Sequence, residues 1–197
     1  TSDTPVSGSS ARMRPMLKKA PASRLVLTMG GITLLTSKGG SITTRQSFGD
    51  CQLHLEFYLP LMAGAFGQGR SNSGVYVQNR YEIQLLDSFG VLPQTAGDCG
   101  GLYDISTPLV NASLPPERWQ TYDIEFRAAR LNEDGSQKEP ARLTVRHNGI
   151  VIQENVALAG PTPGGTAGPG APEDILHLQD HGNQVRFRNI WYVPLND

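Results

Sequence analysis

Residues 51–59 read Cys51-Gln52-Leu53-His54-Leu55-Glu56-Phe57-Tyr58-Leu59, and the reading of this stretch decides the fold class. Leu53, Leu55, Phe57 and Leu59 fall on one parity, and Gln52, His54, Glu56 and Tyr58 on the other. Such alternation marks a strand with one face on a core and the other in water. Ile124 and Phe126, Leu143 and Val145, and Val185 and Phe187 repeat it. Outward from 51–59, strand-like segments follow at 24–28, 32–36, 74–78, 81–86, 119–128, 142–147, 150–153, 175–180 and 184–193. Asn148-Gly149 is a hairpin signal between two of them, and Asp134-Gly135 marks another turn. Residues 160–172 (GPTPGGTAGPGAP) hold nine Gly or Pro in thirteen positions, which predicts a loop without regular structure.

Composition agrees. The chain has 197 residues with 22 Gly and 14 Pro, about 18% together, against roughly 12% in ordinary proteins. No segment beyond about ten residues has a helical period, and no 20–50-residue repeat points to a propeller or solenoid. The expectation is an all-β sandwich of two antiparallel sheets. Residues 1–23 are polar and Pro/Ser-rich and read as an N-terminal arm, with a single domain over 24–197; if the arm docks on a neighbouring subunit, the protein is an oligomer. Residues 13–36 imitate a signal peptide, but a mostly polar stretch of twelve residues precedes them and Thr28, Gly30, Gly31 and Thr33 break the apolar part. Two short strands around a Gly-Gly turn account for them better, with any export signal already removed.

Net charge is −1, with no basic stripe for a phosphate backbone, so nucleic acid is not an expected partner. No apolar run reaches the roughly 18 residues of a membrane span. Cys51 and Cys99 lack metal-like spacing and leave two readings open, one disulfide or two buried thiols. GxSxG, P-loop, GxGxxG and HExxH motifs are absent, which disfavours α/β-hydrolases, nucleotide enzymes and zincins. No cofactor motif is evident; a divalent cation stays open.

Several clusters carry potential chemistry. In Tyr81-Glu82-Ile83-Gln84-Leu85-Leu86-Asp87, Glu82 and Gln84 share a strand face, and a β-bulge would bring Asp87 to it. Paired carboxylates suit glycoside chemistry, whereas the plain alternative is a polar strand face ended by a turn. His177, Gln179 and His181 alternate onto one face, suited to sugar hydroxyls, proton transfer or a metal, or simply to solvent. Arg186 and Arg188 share a face, and Arg188 either binds a substrate or pairs with Glu82 or Asp87. Asn72 lies in a tight polar turn, Ser71-Asn72-Ser73-Gly74. His54 and Glu56 form another wet face. Trp119 and Trp191 fit packing better than sugar stacking. Asn111-Ala112-Ser113 fits a glycosylation sequon.

Taken together, FGDCQLHLEF (48–57), SNSGVYVQNRYEIQLLDSFG (71–90), CGGLYDISTP (99–108), WQTYDIEF (119–126), HNG (147–149) and LQDHGNQVRFRNIWYVPL (178–195) resemble the 3-keto-disaccharide hydrolase domain family. The resemblance covers roughly residues 41–195. It implies a concanavalin A-like jelly roll with the sugar site on the concave sheet. It also implies a bacterial, exported protein, periplasmic or extracellular, acting on glycosides whose sugar is oxidised at C3. Glu82, Asp87 and His181 then become candidate catalytic groups. Gln84, Gln179, Arg188, Asn72, Tyr103 and Glu56 become candidate substrate-binding groups. The EIQLLD strand also resembles the E-x-D-x-x-E strand of laminarinase-type glucanases, but Gln84 stands at the central carboxylate, which speaks against a retaining glucanase mechanism. The Gly-Lys…Gly-Trp opening common in the family is missing, and the 160–174 loop is expanded.

A C3 ketone acidifies the C2 proton, so a base can remove it while the C1 substituent leaves, and water then adds. The implied roles are a base (His181 or Glu82), an enolate stabiliser (Arg188 or a metal) and an acid (Asp87 or Glu82). The rival reading is a non-catalytic, lectin-like carbohydrate-binding module, and a third is an adhesion or structural β-domain. The expected geometry puts Gln179 and His181 beside Glu82 and Gln84 on one face, with Arg188 in hydrogen-bond reach of a carboxylate.

Overall fold

A computed structural model describes residues 33–34 and 40–195. The arm at 1–23, the strand expected at 24–28 and the Gly30-Gly31 turn lie outside the described residues. Among the described residues there are twelve strands: β1 (Thr33–Leu34), β2 (Ile42–Thr43), β3 (Cys51–Tyr58), β4 (Ser73–Val77), β5 (Tyr81–Leu85), β6 (Trp119–Arg127), β7 (Arg130–Leu131), β8 (Gln137–Glu139), β9 (Ala141–His147), β10 (Ile150–Leu158), β11 (His177–Leu178) and β12 (Arg186–Pro194). Among the described residues the helical structure is one 3-10 turn, Gly67–Gly69.

Two antiparallel sheets make the sandwich expected from the alternating pattern. One has six strands in the order β1-β12-β3-β6-β9-β10, the other four in the order β2-β11-β4-β5. A small β7–β8 hairpin brackets the Asp134-Gly135 turn. Leu53, Leu55 and Phe57 of β3, Ile124 and Phe126 of β6 and Val145 of β9 meet Val75, Val77, Ile83 and Leu85 of the smaller sheet in one core. The strand expected at 175–180 shrinks to two residues, because the chain leaves the ladder after Leu178 and only the Gln179 amide still reaches Gly74. The cysteines are free and buried; burial pushes the Cys51 thiol up to about 12, and the Cys99 sulfur lies 3.3 Å from the Tyr122 hydroxyl.

The two sheets differ in what covers their outer faces. On β3 and β9 the outward residues alternate with buried ones. On β4 and β5 every residue of both faces is buried, because loops fold over the outside of the smaller sheet. Polar side chains that alternation sends outward there are thus taken out of bulk water, which makes that face suited to chemistry.

His147 ends β9 pointing into the core, against Phe57 and edge-on to Tyr122 at 5.0 Å. Its Nε2 hydrogen-bonds Gln120 Oε1 at 2.9 Å. Burial pushes its pKa down to about 4 from 6.5. Between those values the unfolded chain binds a proton that the native state refuses, so this stability is present above pH 6.5 and is lost as pH falls toward 4. The loss is expected to reach about 3 kcal/mol. Thermal melts of His147→Gln across that window should show a flatter acid limb than the parent; an unchanged slope would remove His147 as its cause.

Candidate functional site

The β4–β5 hairpin builds the site. Its register sets Tyr76 opposite Glu82 and Gly74 opposite Gln84, and β11 adds His177 beside Tyr76. Val75, Ile83 and Leu85 face the core, so Tyr76, Glu82 and Gln84 must face out. They floor a cavity of about 190 Å³, with Asn72, Gln179, Tyr103, Gln68, Pro163, Gly164 and His181 around it. That is smaller than the roughly 300–1,000 Å³ of pockets for drug-sized ligands.

Glu82 is the central ionisable group. It is 4% exposed, and its Oε2 accepts a 2.8 Å hydrogen bond from the Tyr76 hydroxyl. Burial pushes its pKa up to about 7; the Tyr76 bond opposes the rise and the Asp104 charge adds to it. Burial and the Glu82 charge hold the Tyr76 phenol well above its usual range, so Tyr76 remains a donor. The Glu82 side chain fits because residue 74 is glycine: a Cβ there would sit 2.2 Å from Glu82 Oε1.

Amides surround this carboxyl. Gln84 Nε2 donates to Gln68 Oε1 at 2.9 Å, and Asn72 Nδ2 donates to the same oxygen at 3.0 Å. Gln179 Nε2 reaches the Tyr76 hydroxyl at 3.3 Å, while Gln179 Oε1 is buried without a partner. His177 stacks on Tyr76 with ring centroids 5.0 Å apart. Asn79 Nδ2 donates to Thr166, leaving Asn79 Oδ1 to accept from His177 Nδ1 at 2.9 Å. His177 Nε2 is then a buried acceptor without a partner. Unpaired buried acceptors are costly; of these two, Gln179 belongs to the cavity lining and His177 does not. His181 is exposed at the mouth.

A larger groove of about 500 Å³ runs past Ile42, Leu176, Leu178 and Ile190, with Arg45 as its charged member. It offers neither a carboxylate nor an imidazole. Among the described residues no three His, Cys, Asp or Glu side chains gather as a metal-holding group.

Residues 15–192 match the 3-keto-α-glucoside-1,2-lyase-like domain, the family named above as the 3-keto-disaccharide hydrolase domain. The chain belongs to this family. A protein described as a "putative glycosyl hydrolase" from Parabacteroides distasonis ATCC 8503 is 35% identical, over 84% of this chain and 72% of its own, with a TM-score of 0.77. Two others from that organism, described in the same words, share the fold. One is 18% identical over 86% of this chain and 90% of its own (TM-score 0.54); the other is 17% identical over 84% and 81% (TM-score 0.57). No curated protein matches the chain.

In this 3-keto-α-glucoside-1,2-lyase-like domain, six of the nine residues singled out by sequence come together at the cavity: Glu82, Gln84, Gln179, His181, Asn72 and Tyr103. Three do not. Asp87 follows the end of β5, where Leu85 and Leu86 both turn into the core; its Oδ2 pairs with Arg70 at 2.6 Å, and it stays outside the cavity lining. Glu56 and Arg188 are opposite one another on β3 and β12, on the outer face of the six-stranded sheet and across the core from Glu82. Arg188 does reach a carboxylate, but that of Glu56, at 2.7 Å, and its guanidinium lies 3.9 Å over Trp119. Parity located Arg188 outward correctly; it could not say outward from which sheet. Arg188→Ala should therefore leave keto-glycoside turnover within about threefold of the parent and cost about 1 kcal/mol of stability or less; a hundredfold loss of turnover would put Arg188 at the reacting centre.

Sequence reading missed Tyr76, Gln68 and the 162–164 wall. Tyr76 was within reach of the same reasoning: it alternates with Val75 and Val77, and the three-residue Gln78-Asn79-Arg80 turn pairs it with Glu82. Gln68 arrives on the 3-10 turn Gly67–Gly69 and Pro163 on an irregular loop, and no periodicity encodes the path of either. Trp191 stacks on His54 with ring centroids 5.0 Å apart, and Asn111 ties its loop to the Ser88 and Val91 carbonyls.

Proposed function

We propose that this chain is an enzyme that cleaves the glycosidic bond of 3-keto-glycosides, with Glu82 as the proton-transfer group. The observation that carries the reading is a carboxyl with its pKa near 7, hydrogen-bonded by a phenol and enclosed by amides in a cavity of about 190 Å³. Family membership supplies the substrate class.

In the elimination form, the Glu82 carboxylate takes the C2 proton, made acidic by the C3 ketone. The C2–H electron pair forms the C1–C2 double bond and the C1–O bond breaks, its electrons leaving with the aglycone oxygen. His181, which lines the same cavity, gives that oxygen a proton. Negative charge at the C3 oxygen is met by amide and phenol donors, with Gln84, Gln179 and Tyr103 in reach of the cavity. Water then adds at C1 while C2 is reprotonated. Direct hydrolysis is the other form of the same proposal. Export from a bacterial cell belongs to it too; among the described residues no helix is long and apolar enough to cross a membrane.

The test compares a 3-keto-glucoside with its unoxidised parent. Cleavage of the keto compound alone supports the proposal. Equal cleavage of both would remove the role of the ketone, and binding without cleavage would make the chain a carbohydrate-binding module.

A further inference from the structure

The stretch 160–172 has nine Gly or Pro in thirteen residues and no regular structure of its own, yet it supplies a wall of the cavity through Pro163 and Gly164. A chain of that composition has much conformational entropy to lose. What holds it is the β4–β5 hairpin. Thr162 N and Oγ1 both donate to the Arg80 carbonyl at 3.1 Å, and Thr162 Oγ1 accepts from the Glu82 amide at 2.9 Å. Thr166 N donates to the Asn79 carbonyl at 2.9 Å.

Arg80 completes this attachment in an unusual way. Its side chain is on a residue only 3% exposed. The guanidinium meets no carboxylate in the hydrogen-bond and ion-pair contacts of the described residues. It donates instead to the carbonyls of Thr166 and Gly168 and, through Nε, to the Tyr81 hydroxyl at 3.2 Å. A buried cation needs strong acceptors, and here they are carbonyls of the irregular loop. The approach is close on the backbone side as well: a Cβ on Gly165 would sit 2.1 Å from the Arg80 carbonyl oxygen.

We propose that Arg80 is a positioning residue: its guanidinium straps residues 162–170 onto the β4–β5 hairpin and so fixes the wall that keeps water from Glu82. The role in turnover rests on the reading of Glu82 given above; the strap itself does not.

The test uses Arg80→Met, which keeps the apolar stem and removes the donors, and Gly165→Ala, which pushes the strap away without touching the guanidinium. In both, the Gly165 and Thr166 amides should exchange with solvent at least tenfold faster while the Ile83 and Val145 amides of the core hold. The Glu82 midpoint, read by carboxyl ¹³C NMR, should fall from about 7 toward the ordinary value, and the pH profile of keto-glycoside turnover should move the same way. The titratable groups facing Glu82 are Tyr76 from β4, Tyr103 and Asp104 beyond β5 and His181 at the mouth, and both variants keep all four. Loss of a nearby positive charge alone would raise a carboxyl midpoint, so a fall reads the opening of the wall. Unchanged exchange and an unchanged midpoint in either folded variant would overturn the strap. A parent protein that turns over no keto-glycoside would instead overturn the function, with exchange and NMR still deciding the strap.

Discussion

Glu82→Gln is expected to lower kcat/KM for a 3-keto-glucoside by about 10³-fold, within the range general acid–base groups contribute. The substitution keeps the shape that Gly74 accommodates and removes the ionisable group. In the parent, the acid limb of kcat/KM should rise with pH through about 7, because Glu82 must be free of its proton to act as the base. Stability should run the opposite way. Glu82 has a folded pKa above its unfolded value of 4.5, so between pH 4.5 and 7 the native state holds a proton that the unfolded chain has lost. Its contribution falls as pH rises through that window. Glu82→Gln has no carboxylate to leave buried, so at pH 8 it should melt at or above the temperature of the parent while being nearly inactive. A variant that is both inactive and much less stable at pH 8 would make Glu82 a structural residue.

Gly74→Ala should have the next largest effect. The added methyl would come 2.2 Å from Glu82 Oε1 and 2.9 Å from its Cδ, so the carboxyl must leave its seat under Tyr76. Turnover should fall by about 10²-fold, on the scale of a misplaced catalytic group, with about 1–3 kcal/mol lost to overpacking. The clash is with Glu82 in particular, so the two effects should not add. In the Glu82→Ala background, Gly74→Ala should cost little more in either turnover or stability. Full additivity in that double-mutant cycle would place the glycine requirement elsewhere.

The sandwich was legible because its strands carry the period of two. β3, β6 and β9 each present a buried parity that sequence alone exposes, and the Asn148-Gly149 and Asp134-Gly135 turns fall where the strands reverse. The outward placement of Glu82 and Gln84 follows from Ile83 and Leu85 by the same rule. Parity fixes a side of one strand, however, and says nothing about which sheet that strand joins. β12 pairs with β3 in the six-stranded sheet, which sends Arg188 to Glu56 and away from Glu82. Asp87 escaped for a different reason: the strand stops at Leu85, and beyond it the path is set by Arg70 rather than by alternation. The enclosure of the Glu82 cavity was also hidden, since Gln68 reaches it on a 3-10 turn and Pro163 and Gly164 on a loop, and alternation places none of them.

The central claim is that Glu82 removes a proton from C2 of a 3-keto-glycoside. A 3-keto-glucoside incubated in D₂O and followed by NMR tests it most directly. The parent protein should give a cleaved sugar carrying deuterium at C2, with the 2-hydroxy-3-keto-glucal trapped on the way, and Glu82→Gln should slow both by about 10³-fold. Cleavage with the C2 proton retained would contradict elimination by Glu82.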